Sequence, residues 1–171
     1  MNELERPVLF AREHETAPFD CGKEPLNRFL KGFALANQAS GSSRTYVAMV
    51  DGRVIGYYSL TPSSVSPSDA PERVSQGQAL HEIGVVLMAR FAVDLEFQGR
   101  GIGRSLFLDA LGRVVQASDV IGGRAFLVHA KDEEAKAFYM KFNMMPAPGN
   151  SLHLYLLLKD VRKTLAEFGR D

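Results

Sequence analysis

Residues Ile83–Arg104, IGVVLMARFAVDLEFQGRGIGR, constrain the fold more than any other stretch of the chain. An apolar run of this kind does not alternate between a wet and a dry face, so it predicts a strand buried on both sides at the centre of a sheet. Gln98, Gly99, Arg100, Gly101 and Gly103 end the run and lead into a helix whose first turn carries Arg104. Glycines let an anion approach the backbone, and the unpaired N–H groups of a helix start point at it. The helix dipole and the arginines favour negative charge there. The turn therefore predicts a pyrophosphate cradle.

The helix after the turn has the clearest amphipathic pattern in the chain. Ile102, Leu106, Phe107, Ala110, Leu111, Val114 and Val115 form one stripe, opposite Arg104, Asp109, Arg113 and Gln116. Gly122-Gly123 closes it and Arg124–Ala130 reads as the next strand, a strand-helix-strand order that implies a parallel, right-handed crossover. Asp132 is placed to cap a helix from Glu133 to about Phe142. Pro146-Ala147-Pro148-Gly149 then breaks the chain before a last strand, Leu152–Leu158, and a C-terminal helix.

Upstream, Arg6–Arg12 reads as an edge strand. A helix starting at Pro25 presents Leu26, Phe29, Leu30, Phe33 and Ala34 to the core, with Arg28 and Lys31 on or near the other face. Arg44–Val50 and Val54–Leu60 flank Asp51-Gly52, a two-residue hairpin signal. Thr61–Gln78, rich in Ser, Pro, Gly and Gln, is expected to be a long mobile or functional loop.

A chain of 171 residues, 46% hydrophobic and 23% charged, suffices for one domain spanning 1–171. Its formal net charge of +0 argues against a protein covered in basic surface, so any nucleic-acid contact must come from the placement of charge. Lone Cys21 offers no internal disulfide and fits a reducing compartment. The N-terminus, MNELERPVLFAREHE, carries acid where a secretion signal is basic and lacks the apolar run of one. The apolar strand is too short for a bilayer and is broken by Arg90, so a cytoplasmic location with no membrane contact is expected. His14, His81, His129 and His153 lack metal-ligand spacing, and no metal is expected.

The glycine turn is not a P-loop, because no Gly-Lys-Ser/Thr closes it. A Rossmann fingerprint also fails, since Arg104, Ser105 and Leu106 follow Gly103 and the third glycine is missing. The pattern present is Gln-x-x-Gly-x-Gly at Gln98, Gly101 and Gly103, beside Arg100 and Arg104. Downstream lies a helix bearing Phe138-Tyr139 within Ala135–Lys141. These two motifs, in this order, resemble those of the GNAT acyltransferases, and the order of elements resembles that α/β fold across most of the chain: a mixed central β-sheet flanked by helices. Asp132 stands where an asparagine is frequent in that family, and Phe142-Asn143 where Gly-Phe is usual.

The resemblance implies acetyl-CoA as co-substrate. The backbone of Phe91, Ala92 and Val93 would pair with its pantetheine arm like an added strand, and Gln98, Gly99, Arg100, Gly101, Ile102, Gly103 and Arg104 would hold its pyrophosphate. Tyr139 would protonate the departing thiolate, while a backbone N–H of the central strand stabilises the oxyanion. With a phenol pKa of about 10 against about 8.5 for a thiol, that transfer is mildly uphill.

Many GNAT enzymes place a carboxylate on the central strand to deprotonate the acceptor, yet Val85–Val93 has no Asp or Glu. At pH 7 a lysine amine costs about 4.6 kcal/mol to deprotonate, against about 1 kcal/mol for an α-amine. The missing base thus tilts the reading toward an α-amine. Phe19-Asp20-Cys21-Gly22, Leu26–Leu30, Ser43–Val47 and Arg90–Asp94 are similar to the acetyltransferase toxins of toxin–antitoxin pairs, which acetylate the α-amino group of aminoacyl-tRNA and block translation. That similarity implies Arg28, Lys31, Arg44 and Arg90 as tRNA contacts, with Lys136 and Lys141 as weaker ones. It also implies a ribbon-helix-helix antitoxin through which DNA is met indirectly, and with a neutral net charge a homodimer is expected, joining two basic faces. The alternatives are a small amine or protein N-terminus as acceptor, or a CoA-binding regulatory module without turnover.

Overall fold

The computed structural model describes residues 4–79 and 81–169. Its strands are β1 (Val8–Leu9), β2 (Arg44–Val50), β3 (Arg53–Val65), β4 (Ile83–Val93), β5 (Ala125–His129), β6 (Met145–Pro146) and β7 (His153–Leu157). They form a seven-stranded sheet in the order β1-β2-β3-β4-β5-β7-β6. The β4–β5 pair is parallel and β1–β2, β2–β3, β5–β7 and β6–β7 are antiparallel, so the sheet is mixed, with β4 at its middle. The helices are α1 (Glu24–Gly32), α2 (Ala34–Ala39), α3 (Glu72–Ser75), α4 (Ile102–Ile121), α5 (Glu133–Met140) and α6 (Leu158–Phe168). Contacts divide the chain into two compact units. One comprises the chain through Thr61 with Ala89–Ala110, and the other Pro62–Met88 with the chain from Leu111 onward.

In the first unit, β2 and β3 turn on Asp51 (φ +52°) and Gly52 (φ +78°), the pair of left-handed residues that a tight hairpin with right-twisted strands requires. Phe10, Phe19, Phe29, Leu30, Tyr57 and Ala92 belong to its core. Phe33, expected in the α1 stripe, is 54% exposed. The backbone leaves helical geometry there (φ −129°, ψ −28°) before α2 begins, which swings Phe33 off the buried face while Ala34 returns to it.

In the second unit the expected loop at Thr61–Gln78 is largely structured. β3 runs on to Val65, a 3-10 turn occupies Pro67–Asp69, and α3 follows. Ala70 and Val74 are buried in this unit's core beside Val85, Leu127 and Tyr155. The Arg124 guanidinium donates to the carbonyls of Val74 (3.0 Å) and Arg73 (2.9 Å), tying α3 down. A polar composition hid a few well-placed apolar residues. Pro146, expected only as a breaker, sits in β6 at the sheet's edge, where its missing N–H costs no ladder bond.

All seven residues predicted for the α4 stripe are buried. The strand β4 has the bounds predicted for it, but its burial is one-sided in places: Gly84 and Ala89 are exposed and Arg90, Phe91 and Val93 only half-buried. Its pairing with β5 runs from Val85↔Ala125 to Met88↔Val128 and stops, so Ala89–Val93 lie beyond that ladder.

Candidate active site

The end of β4 is held in place by bonds within the protein. Asp94, 2% exposed, accepts hydrogen bonds from the amides of Asp20 (3.1 Å) and Glu96 (2.9 Å), and Arg53 Nη2 lies 3.5 Å from its carboxylate. The Asp94 amide donates to the Ile55 carbonyl at 2.8 Å. A buried carboxylate satisfied by backbone donors and a guanidinium avoids the large cost of an unpaired charge. It also caps the 3-10 turn Leu95–Phe97 that carries the chain into Gln98. Gln98 Nε2 folds back to donate to the Val93 carbonyl at 2.9 Å.

Gly99 (φ +77°) and Gly101 (φ +82°) then adopt backbone conformations that side chains disfavour, and the space where a Cβ would stand at each is open. The Ser105 amide donates to the Gly101 carbonyl at 3.1 Å, so the amides ahead of Ser105 belong to the turn and the helix start. Arg100 is exposed with its guanidinium 5.2 Å from the Phe97 ring centroid, and Arg104 is half-buried in the first turn of α4. An open, glycine-lined backbone at the N-terminus of a long helix, flanked by two arginines, fits a pyrophosphate. The predicted donor-binding residues Phe91–Val93 and Gln98–Arg104 thus form one continuous strand-turn-helix. Gly56 lets β3 approach it closely, since a Cβ there would lie 2.7 Å from Leu106 Cδ1.

The basic residues singled out from the sequence have different surroundings. Arg28 and Lys31 are exposed on α1, with Lys31 Nζ donating to the Ala17 carbonyl at 3.1 Å, and Arg44 is exposed at the start of β2. Arg90 is instead half-buried, its guanidinium 3.8 Å from the Phe29 ring centroid in a cation–π contact. The segment before α1 is fixed by side chains the sequence reading did not single out for that role. Asp20 accepts from the Gly22 amide (2.9 Å) and Asn27 Nδ2 (3.0 Å), while Asn27 Oδ1 accepts from the Cys21 amide (2.9 Å). The Gly22 and Asn27 bonds hold the Asp20 carboxyl below its ordinary range.

In the second unit, Asp132 accepts from the Ala135 amide at 2.8 Å and caps α5 as predicted. That helix carries Tyr139, 6% exposed and edge-on to Phe138 with ring centroids 5.3 Å apart. Burial raises the phenol pKa, so Tyr139 remains protonated across the neutral range and is available as a proton donor. Lys141 is exposed and Lys136 half-buried.

The same unit holds a cavity of about 490 Å³, whose lining includes Ser63, Ser66, Asp69, Glu82, His129 and His153. The two histidines face each other across the β5–β7 ladder and stack with ring centroids 3.9 Å apart at 14°. Burial first, and the neighbouring His153 second, lower the pKa of His129. Sequence reasoning treated these histidines as scattered. The available signal was positional: one lies near the end of a predicted strand and the other near the start of a later one, and antiparallel neighbours bring such ends together. Among the described residues no three His, Cys, Asp or Glu side chains group to hold a metal ion. No helix among them is long and apolar enough to cross a membrane.

Residues 41–143 match the acetyltransferase (GNAT) domain model. A curated relative, the tRNA-acetylating toxin of Mycobacterium tuberculosis (strain ATCC 25618 / H37Rv), is 42% identical over 167 residues, covering 98% of this chain and 100% of the relative. The solved structure of AtaT complexed with acetyl-methionyl-tRNAfMet superposes with a TM-score of 0.85 at 26% identity, covering 94% of this chain and 98% of that one. A mutant of the AtaT toxin bound to the C-terminus of the antitoxin AtaR and to acetyl-CoA superposes with a TM-score of 0.80 at 26% identity, covering 95% and 98%.

Proposed function

Because the chain belongs to the GNAT acetyltransferases, we infer that it moves the acetyl group of acetyl-CoA to the α-amino group of aminoacyl-tRNA and so blocks translation as a toxin. The observation that carries this reading is the construction of β4. Its pairing with β5 ends at Met88, its remaining residues lead through the 3-10 turn Leu95–Phe97 into the glycine turn, and no carboxylate stands on it from Val85 to Val93. Backbone beyond a ladder is what an extended pantetheine arm needs, and the turn suits its pyrophosphate. An acceptor amine of low pKa is what a strand without a built-in base can serve. The likeness to a tRNA-acetylating toxin along 98% of the chain supports the same acceptor.

In this reading Phe91, Ala92 and Val93 hold the pantetheine, and Gln98, Gly99, Arg100, Gly101, Ile102, Gly103 and Arg104 hold the pyrophosphate. Tyr139 gives its phenolic proton to the leaving thiolate. Arg28, Lys31 and Arg44 meet tRNA phosphates. Arg90, committed to Phe29, contributes by holding β4 and α1 together as much as by its charge. The whole chain acts as one acetyltransferase domain in the cytoplasm, as a homodimer silenced by an antitoxin of ribbon-helix-helix type, with DNA met only through that antitoxin.

The test is transfer of radiolabelled acetyl from acetyl-CoA to a panel of aminoacyl-tRNAs, with deacylated tRNA, glycinamide and a peptide N-terminus as controls. Label on charged tRNA that is released with the amino acid supports the reading. Label confined to glycinamide or the peptide overturns it in favour of a small-amine or N-terminal acetyltransferase, and no transfer to any acceptor in favour of a regulatory CoA-binding module.

A further inference from the structure

The strand that lacks a carboxylate has a neighbour that carries an imidazole. His129 is the last residue of β5 and immediately follows Val128, the end of the β4–β5 ladder. It lines the 490 Å³ cavity, alternating along β5 with Leu127 on the same face, and stacks on His153 of β7. The other titratable groups lining that cavity are His153 and Tyr155 from β7, Asp69 from the 3-10 turn after β3, and Glu82 just before β4. Glu82 is engaged by Ser66, whose hydroxyl donates to it at 2.9 Å.

We propose that His129 is the general base of the transfer, taking the proton from the acceptor amine in this cavity, and that His153 positions its ring. The assignment rests on the acetyltransferase reading above. The α-amine reacts through its neutral fraction, which costs little to reach at about pH 7, and its nitrogen attacks the thioester carbonyl carbon. As the C–N bond forms, His129 takes one proton from that nitrogen. The carbonyl re-forms, the C–S bond breaks with its electron pair on sulfur, and the thiolate takes the phenolic proton of Tyr139. Imidazolium and tyrosinate return to their starting states by releasing and taking up one proton from solvent. A base for this step has to be uncharged at neutral pH, and the desolvation of His129 together with the adjacent ring of His153 favours the neutral imidazole.

The experiment compares wild type, His129→Gln, His129→Ala and His153→Gln in acetyl transfer to total aminoacylated tRNA and, separately, to glycinamide, across pH, with acetyl-CoA binding measured by calorimetry. His129→Gln is expected to lose on the order of 10²-fold in kcat/KM with acetyl-CoA affinity kept, the lower end of what a general base contributes. Added imidazole is expected to restore part of the His129→Ala rate, and His153→Gln to move the acid limb of the pH profile upward. Should His129→Gln fold poorly, imidazole rescue of His129→Ala decides. A His129→Gln enzyme within about threefold of wild type with the same acid limb overturns the assignment, since a general base is worth on the order of 10²-fold or more. So does loss without any imidazole rescue. Wild type acting on glycinamide but not on charged tRNA overturns the tRNA reading alone and leaves the glycinamide series to judge His129. Wild type acting on neither overturns both.

Discussion

The glycine turn and the histidine-lined cavity are made in opposite ways. The turn comes from consecutive residues, Phe91–Arg104, whose conformation is set by glycines and by bonds from Asp94 and Gln98. The cavity draws its wall from separate segments around Ser63–Asp69, Glu82, Leu127–His129 and Gly149–Tyr155. A contiguous site couples ligand binding to a few local dihedral angles, whereas an assembled wall couples chemistry to the register of several strands. Damage to the first therefore reads out as lost affinity with the fold intact. Damage to the second reads out as changed turnover, pH dependence or stability.

The largest effect is expected at Tyr139, on α5 and in neither region. Tyr139→Phe keeps the ring packing against Phe138 and removes only the hydroxyl, so turnover is expected to fall on the order of 10²- to 10⁴-fold while acetyl-CoA still binds. Radiolabelled transfer beside calorimetry checks this, and full turnover with donor bound sinks the role of Tyr139. In the turn, Gly101→Val places a branched side chain at φ +82°, costing about 1–2 kcal/mol of backbone strain. Acetyl-CoA affinity is expected to drop roughly tenfold or more with kcat at saturation nearly kept, since 1.4 kcal/mol is about tenfold. A variant that binds normally but turns over slowly reverses the assignment of the turn to binding.

Smaller effects sharpen the contrast. Asp132→Ala removes the α5 cap and should cost about 1 kcal/mol, seen as a lower urea midpoint. The smallest effect is the pH dependence set by His129. Its folded pKa lies below its unfolded value of about 6.5, so the unfolded chain binds more protons in between and stability rises with pH. The contribution is fully present above about pH 6.5 and is lost as pH falls through the folded pKa. Relative to His129→Gln, wild type should lose stability as pH falls below about 6.5 in urea titrations, and parallel curves would deny the shift.

What the sequence disclosed follows the same division. The α4 stripe from Ile102 to Val115, the Asp51-Gly52 hairpin and the Asp132 cap are local patterns, and each stands where its spacing placed it. The helical spacing puts Phe33 in the core, whereas one non-helical residue between α1 and α2 resets the helical phase. The composition of Thr61–Gln78 predicts a loop, whereas its structure depends on Ala70 and Val74 reaching a distant core and on Arg124 bonding its carbonyls. The two-sided burial expected of β4 was only partly met, because an apolar sequence does not say where a neighbouring strand stops. His129 and His153 became a pair only through the antiparallel register of β5 and β7.

The bond from Gln98 to the Val93 carbonyl, with the Asp94 bonds beside it, has a consequence for the thermodynamics of donor capture. If acetyl-CoA docks on this turn as proposed, the part fixed by these bonds needs no ordering, and more of the conformational entropy given up falls on the long, freely rotating pantetheine. Affinity should then respond more to stiffening the donor than to stiffening the protein.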